Sequence, residues 1–231
     1  MSLFEQIQIV TERIQNCLNS SNRKDAVILV AATKTQNIEK IESCIKNGII
    51  QIGENRVQEA DKKFTELRTK NIKCVKRMIG HLQSNKINKA LNVFDTIDSI
   101  DKVSLAKKIA VKTTERKKSI QTLLEVNTSR EKNKFGFKPE DDQGMIECIE
   151  LKNLNVVGLM TLGPNTTNKK ETQRAFASLR KTRETLNRQI SKKKKLTDLS
   201  MGMSRDYEVG IEQGSTIIRL GTALFGRRDA L

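Results

Sequence analysis

One lysine stands where aldehyde chemistry would need it. Lys34 follows a run of small and apolar residues, 27–32, with only Thr33 between. A lysine at the end of such a run, partly withdrawn from water, keeps some of its amine neutral and nucleophilic toward a carbonyl carbon. In a chain this rich in lysine an ordinary solvent-facing strand-end lysine is the competing reading, and the far end of the chain shifts that balance. There Leu199, Ser200, Met201, Gly202, Met203 and Ser204 are followed by Arg219, Leu220, Gly221, Thr222, Ala223, Leu224, Phe225 and Gly226. Gly202 and Gly221 let backbone N–H groups approach an anion closely, while Ser204 and Thr222 add hydroxyls, so both segments suit a phosphate. Ser204 and Asp206 also suit the cap of a following helix. Neither G-x-x-x-x-G-K-[ST] nor a post-strand G-x-G-x-x-G competes for the phosphate. An aldehyde-ready lysine with a phosphate cup points to a ligand carrying both groups, and pyridoxal 5′-phosphate is such a cofactor.

These residues need elements to hold them together. Short β-branched or apolar runs alternate with longer stretches of helical period, the pattern of βα units around a parallel sheet. Strands are expected at 27–32, 51–53, 74–79, 93–97, 120–126, 156–161, 196–199 and 216–220. Helices are expected at 37–46, 56–68, 85–91, 102–113, 141–151, 169–189 and 207–213, after an amphipathic segment at 3–18. Eight such units in one chain match a single (β/α)8 barrel of the TIM type with an extra N-terminal helix, spanning residues 1–231 as one domain. A doubly wound open sheet is the alternative. The two prolines fit this division, Pro139 near a helix start and Pro164 in a loop, and the run 191–195 reads as the cap of the long helix at 169–189 and its connection to the seventh strand.

Composition excludes several classes. No stretch approaches the ~18 apolar residues of a membrane-spanning helix, and the first residues lack the basic-then-apolar order of a secretion signal. Cys17, Cys44, Cys74 and Cys148 are isolated, without C-x-x-C or histidine clusters, so neither a metal site nor a disulfide framework is expected, and the cytoplasm is the expected compartment. The formal charge of +16, from 43 Lys and Arg against 27 Asp and Glu, would suit a nucleic-acid binder. The basic residues are dispersed, however, aromatics make up 3%, and abundant Lys, Asn and Ile are what an AT-rich coding sequence favours. No specific nucleic-acid partner is expected.

The chain resembles the pyridoxal phosphate homeostasis proteins, a family similar to the N-terminal barrel domain of alanine racemase. The resemblance covers nearly the whole chain and rests on short segments in order. These are Val-Ala-Ala-Thr-Lys-Thr at 30–35, Gly48, Ile-Gly-Glu-Asn-Arg-Val-Gln-Glu at 52–59 and Ile-Gly-His-Leu-Gln-Ser-Asn-Lys at 79–86. They continue with Val-Asn-Thr-Ser at 126–129, Lys134, Gly136, Gly-Leu-Met-Thr at 158–161, Leu-Ser-Met-Gly-Met-Ser at 199–204, Arg-Leu-Gly-Thr at 219–222, Phe225 and Gly226. The resemblance implies that Lys34 forms an aldimine with pyridoxal 5′-phosphate and that Ser204, Gly221 and Thr222 hold its phosphate. Arg219 would face the pyridine nitrogen, and Asn55, His81 and Met203 would surround the cofactor. The sequence departs from the family at Thr33, where serine is usual, at Gln36, where lysine is common, and at Lys76, Arg77 and Met78, where an aromatic-histidine pair is frequent.

The same resemblance implies a carrier serving vitamin B6 and amino-acid homeostasis, with cofactor-dependent apo-enzymes as partners and no dedicated catalytic residues. An arginine at the ring nitrogen disfavours the protonated, electron-withdrawing ring. The racemase's second domain, which supplies a tyrosine base, is expected to be absent because the chain ends at Leu231 soon after the eighth strand. A small amino-acid racemase is the alternative. His81 is as well read as structural as ligand-binding; Glu54 and Glu59 are acid–base candidates, with Glu59 better read as a solvated helix face. Lys134 is a loop lysine or a second aldehyde acceptor, and Tyr207 is expected to pack.

Overall fold

The computed structural model describes residues 2–226. Helix α1, Leu3–Ser20, begins with a reciprocal cap in which Ser2 Oγ accepts from the Glu5 N–H and the Glu5 carboxylate accepts from the Ser2 N–H. Then follow β1 Ile28–Ala32, α2 Ile38–Lys46, β2 Gln51–Glu54, α3 Val57–Thr69, β3 Val75–Met78, α4 Ile87–Val93, β4 Thr96–Ile100 and α5 Val103–Glu115. The second half holds β5 Ile120–Glu125, α6 Asp142–Glu150, β6 Leu154–Met160, α7 Lys169–Gln189, β7 Asp198–Met203, α8 Tyr207–Glu212, β8 Ile217–Leu220 and α9 Thr222–Phe225. All strands are parallel, and β8 pairs with β1, with Val30 opposite Arg219, so the sheet closes in chain order. That pairing eliminates the open sheet and leaves no strand edge exposed.

The core has two parts. Between strands and helices lies the larger one, which includes Ile41, Ile52, Leu67, Ile97, Ile109, Leu159, Phe176 and Leu199, all nearly solvent-free. A small cluster of Val30, Leu123, Met160 and Ile217 fills the inside of the barrel. Because strand side chains alternate, the residues two further on, including Ala32, Glu125 and Arg219, face the C-terminal mouth from the same inner side. Below the cluster the lumen is polar. Arg77 donates through Nε to Asp98 Oδ2 at 2.7 Å and through Nη2 to Oδ1 at 3.1 Å, and Thr96 and Gln51 complete the layer.

Several boundaries differ from expectation, each for a physical reason. The fourth strand was expected at 93–97, but Val93 ends α4, and the strand runs from Thr96 to Ile100 through Asp98 and Ser99. Polar residues inside a strand look like a terminator; here Asp98 points into a lumen that supplies Arg77 as a partner, and Ser99 Oγ donates to Gly80 O at 2.6 Å. The seventh strand starts at Asp198, not 196, and continues to Met203. By contrast, α7 ends at Gln189 as expected and residues 191–195 connect it to β7; a 3-10 turn at Lys192–Lys194 there brings Lys194 Nζ to Ile149 O and Glu150, the end of α6. Pro139 lies in the turn before Asp141, the cap of α6, rather than in its first turn. The short helix α9 was not expected, and residues 1 and 227–231 of the expected domain lie outside those described.

Candidate functional site

Lys34 occupies the turn that leaves β1. Thr33 O accepts from the Gln36 N–H at 2.9 Å, making Lys34 and Thr35 the centre of a β-turn, and Thr35 carries φ 66°. That left-handed value is unusual for a β-branched residue and needs surroundings that impose it. Lys63 on α3 supplies them. Its Nζ donates to Thr33 O at 2.8 Å, to Glu54 Oε1 at 2.8 Å and to Glu59 Oε1 at 2.7 Å. Glu59 Oε1 also accepts from the Thr35 N–H at 2.8 Å, and Glu54 Oε1 accepts from Thr33 Oγ1 at 2.6 Å. Burial pushes Glu54 above the ordinary carboxylate range, against the bonds from Lys63 and Thr33, and its Oε2 has no partner. Partial burial acts upward on Glu59 as well, but the bonds from Lys63 and Thr35 outweigh it and hold the group low. Glu59 therefore braces the turn instead of lying on a solvated face. Lys34 itself is half-buried, with no carboxylate in ion-pair range among the described residues.

The brace makes a prediction. Glu59→Ala removes the acceptor of the Thr35 amide and one of the three acceptors around Lys63, and it should cost about 1 kcal/mol. Hydrogen exchange at the Thr35 amide is expected to accelerate at least as much as that stability loss requires. Exchange equal to that of the wild type would show that the turn holds without Glu59.

The rim continues around the mouth. Asn55 follows β2, and the loop after β3 passes so close that a Cβ on Gly80 would lie 2.6 Å from Asn55 O; glycine there is a packing requirement. His81 Nδ1 lies 3.2 Å from Asp101 Oδ2, and the imidazole stacks on Phe135 with ring centres 3.8 Å apart. Asp101 Oδ1 is buried without a partner. Lys134 is fully engaged: Nζ donates to Gly163 O and Glu131 Oε1, each at 2.7 Å, and to Ser129 Oγ at 3.3 Å. It pins the loop after β5 to the loop after β6.

On the opposite flank, Ser204 Oγ accepts from the N–H groups of Gly221 at 3.1 Å and Ala223 at 3.0 Å. Two backbone donors from the first turn of α9 thus converge on one oxygen. Ser204 caps α9 rather than α8, and the Asp206 carboxylate accepts from the Met203 N–H instead of from α8. Gly202 has φ 102° and lies under Tyr207, whose buried ring packs in the core as expected. A Cβ on Gly221 would meet only Ala32 O, at 3.5 Å, so no crowding demands glycine there. Thr222 is exposed beside it, and Met203 is 38% exposed at the rim.

Arg219 is buried, with Nη1 donating to Ser200 O and Oγ and Nη2 donating to Thr161 O at 2.8 Å. At least two of its five N–H donors have no partner among the described residues. Burial draws its pKa down, opposed by Asp98, Glu125 and Asp206, yet a guanidinium stays charged. Three groups at this mouth escaped the sequence reading: Lys63, Asp101 and Glu125. An i,i+4 Glu59–Lys63 spacing was the only signal for the first, and it reads as an ordinary surface pair.

The structure brings Lys34, Asn55, His81, Ser204, Arg219, Gly221 and Thr222 to one end of the barrel. Residues 8–229 match the family model described as alanine racemase, N-terminal domain. A pyridoxal phosphate homeostasis protein of Aquifex aeolicus is 37% identical over 230 residues, covering 99% of each chain. One from Synechocystis is 40% identical over 205 residues, covering 88% of this chain and 92% of its own. Among solved structures, PipY of Synechococcus elongatus with PLP bound superposes with a TM-score of 0.83 at 32% identity, over 97% of this chain and all of PipY. Alanine racemase of Clostridium difficile shares the fold, with a TM-score of 0.78 at 15% identity, and 61% of its length is covered. By domain match and full-length similarity, the chain belongs to the pyridoxal phosphate homeostasis protein family, built on the alanine racemase N-terminal domain.

Proposed function

We propose that this chain binds pyridoxal 5′-phosphate reversibly at the barrel mouth and serves vitamin B6 and amino-acid homeostasis as a carrier. The observation that carries this reading is the donor set. An amine free of carboxylate partners, Lys34, shares a rim with two backbone N–H groups converging at Ser204 and with a buried arginine that has donors to spare. These residues fit the group: Lys34 would hold the aldehyde carbon, Ser204, Gly221 and Thr222 the phosphate, and Arg219 the ring nitrogen, with Asn55, His81 and Met203 around the ring. When bound, the cofactor supplies an electrophilic carbon for amines and a ring able to draw electrons from it. Arg219 would donate to the ring nitrogen and keep a proton off it, which would weaken that draw. Lys63, Glu54 and Glu59 hold the Lys34 turn in place.

A spectrum of the purified, loaded protein before and after borohydride, followed by peptide mapping, tests the reading. The adduct is expected on Lys34. The racemase alternative is separated by turnover: Tyr207 is packed in the core, and no racemisation is expected at the enzyme-like rate of about 1 per second. A chiral assay across a panel of amino acids that reached that rate would overturn the carrier reading.

A further inference from the structure

Glu125 ends β5, opposite β1 in the closed ring, and faces the mouth from the inner side shared with Leu123. It is 5% exposed, and its carboxylate has no hydrogen bond from any described group. The register places Asp101 beside it, since Ile100 pairs with Leu124, and Asp101 holds a buried oxygen without a partner. Two neighbouring, nearly buried carboxylates thus have unused acceptor capacity at the mouth, and the orphaned Asp101 oxygen costs stability unless a donor arrives. Among the described residues neither has a Lys or Arg within ion-pair distance; His81 Nδ1 lies 3.2 Å from Asp101 Oδ2.

We infer that Glu125, flanked by Asp101, receives the ammonium group of an incoming small primary amine and acts as its base. The inference rests on the cofactor reading above. The ammonium would pass one proton to the Glu125 carboxylate, and the freed amine would form its C–N bonds to the carbon that Lys34 holds as the C–N bonds to Lys34 break. The two protons left on the incoming amine and the one held by Glu125 would pass to the departing Lys34 nitrogen, so that Lys34 leaves as an ammonium and Glu125 returns to a carboxylate. Nothing is oxidised or reduced. Burial raises the Glu125 carboxyl to about 7; Arg219 opposes the shift and Asp101 adds to it. The charged groups facing Glu125 are Arg219 from β8 and Asp101 after β4, with His81 behind Asp101. A base of this kind is ionised above neutrality and protonated below it, close to the optimum for exchanging protons in a cell.

The test uses the full chain loaded with pyridoxal 5′-phosphate and mixed with ethylamine, which offers an ammonium and nothing else. Absorbance is followed from pH 6 to 9 on the loaded fraction alone. Wild type should show an inflection near pH 7 in the displacement of Lys34. E125Q should be at least tenfold slower at pH 8 and lack that inflection. E125D, which restores a carboxyl one methylene short, should regain part of both. Unchanged exchange in E125Q, or slower exchange that keeps the inflection, would overturn the inference while the Lys34 adduct stands. Absence of a borohydride adduct on Lys34 in the wild type would instead remove the cofactor reading, and this inference with it.

Discussion

Lys34→Ala is expected to eliminate the borohydride-fixed adduct completely while leaving a folded protein that binds pyridoxal 5′-phosphate more weakly. The two halves of this expectation have separate causes. Only a primary amine can make the covalent link, and the two other lysines described at this end are engaged, Lys134 on Gly163, Glu131 and Ser129 and Lys63 on Thr33, Glu54 and Glu59. The turn that carries Lys34 is held through the backbone of Thr33 and Thr35 by Lys63 and Glu59, so truncating the Lys34 side chain removes none of the brace. A half-buried side chain at a strand end leaves no closed cavity, and the stability loss should be about 1 kcal/mol or less. The donors around Ser204, with Thr222 and Arg219, remain for the phosphate and ring. A wild-type adduct that maps to Lys134 and survives in Lys34→Ala would show that the site is misplaced.

The strands that position this site were legible because each of the eight expected runs overlaps a buried strand of the barrel, and their number matched a closed (β/α)8 sheet. Lys34 and the two glycine-bearing segments were legible for a similar reason: chemistry at a barrel mouth lies just past the apolar runs. What the sequence hid was the interior of the lumen. Asp98 and Ser99 lie within β4, where alternation reads them as an interruption, because nothing local announces that Arg77 will come from β3. Glu59 looked solvated because the Thr35 amide reaches it only when α3 comes up against the turn after β1, and Lys63 alone reads as a surface i,i+4 partner. Glu125 lies inside the expected run 120–126, and nothing local marks its carboxylate as facing the mouth. The helix capped by Ser204 went unseen because α9 is only four residues long. In each case the decisive partner comes from a different strand or loop, a contact that composition and period do not encode.

That hidden lumen yields the largest stability effect. Asp98→Ala should lower the unfolding free energy by about 3–5 kcal/mol, because it leaves the Arg77 guanidinium buried without its carboxylate. Arg77 and Asp98 are both nearly solvent-free, their contact is bidentate, and Gln51 offers Arg77 only one neutral acceptor at 3.1 Å. Thr96 also loses its acceptor. Urea titration should show a lower midpoint with an unchanged slope. The pair itself need not be stabilising: desolvating two charges consumes much of their attraction, so Arg77→Met with Asp98→Leu should recover most of what Asp98→Ala loses. The double variant also tests what the pair does for the mouth, since Asp98 is among the charges that oppose the lowering of Arg219 by burial. If the double variant regains stability yet binds pyridoxal 5′-phosphate less tightly, the lumen charges matter to the site as well as to the fold. A loss below about 1 kcal/mol in Asp98→Ala would mean that water or a rearranged Gln51 takes over the carboxylate's place, and the lumen would then be less tightly specified than its hydrogen bonds indicate.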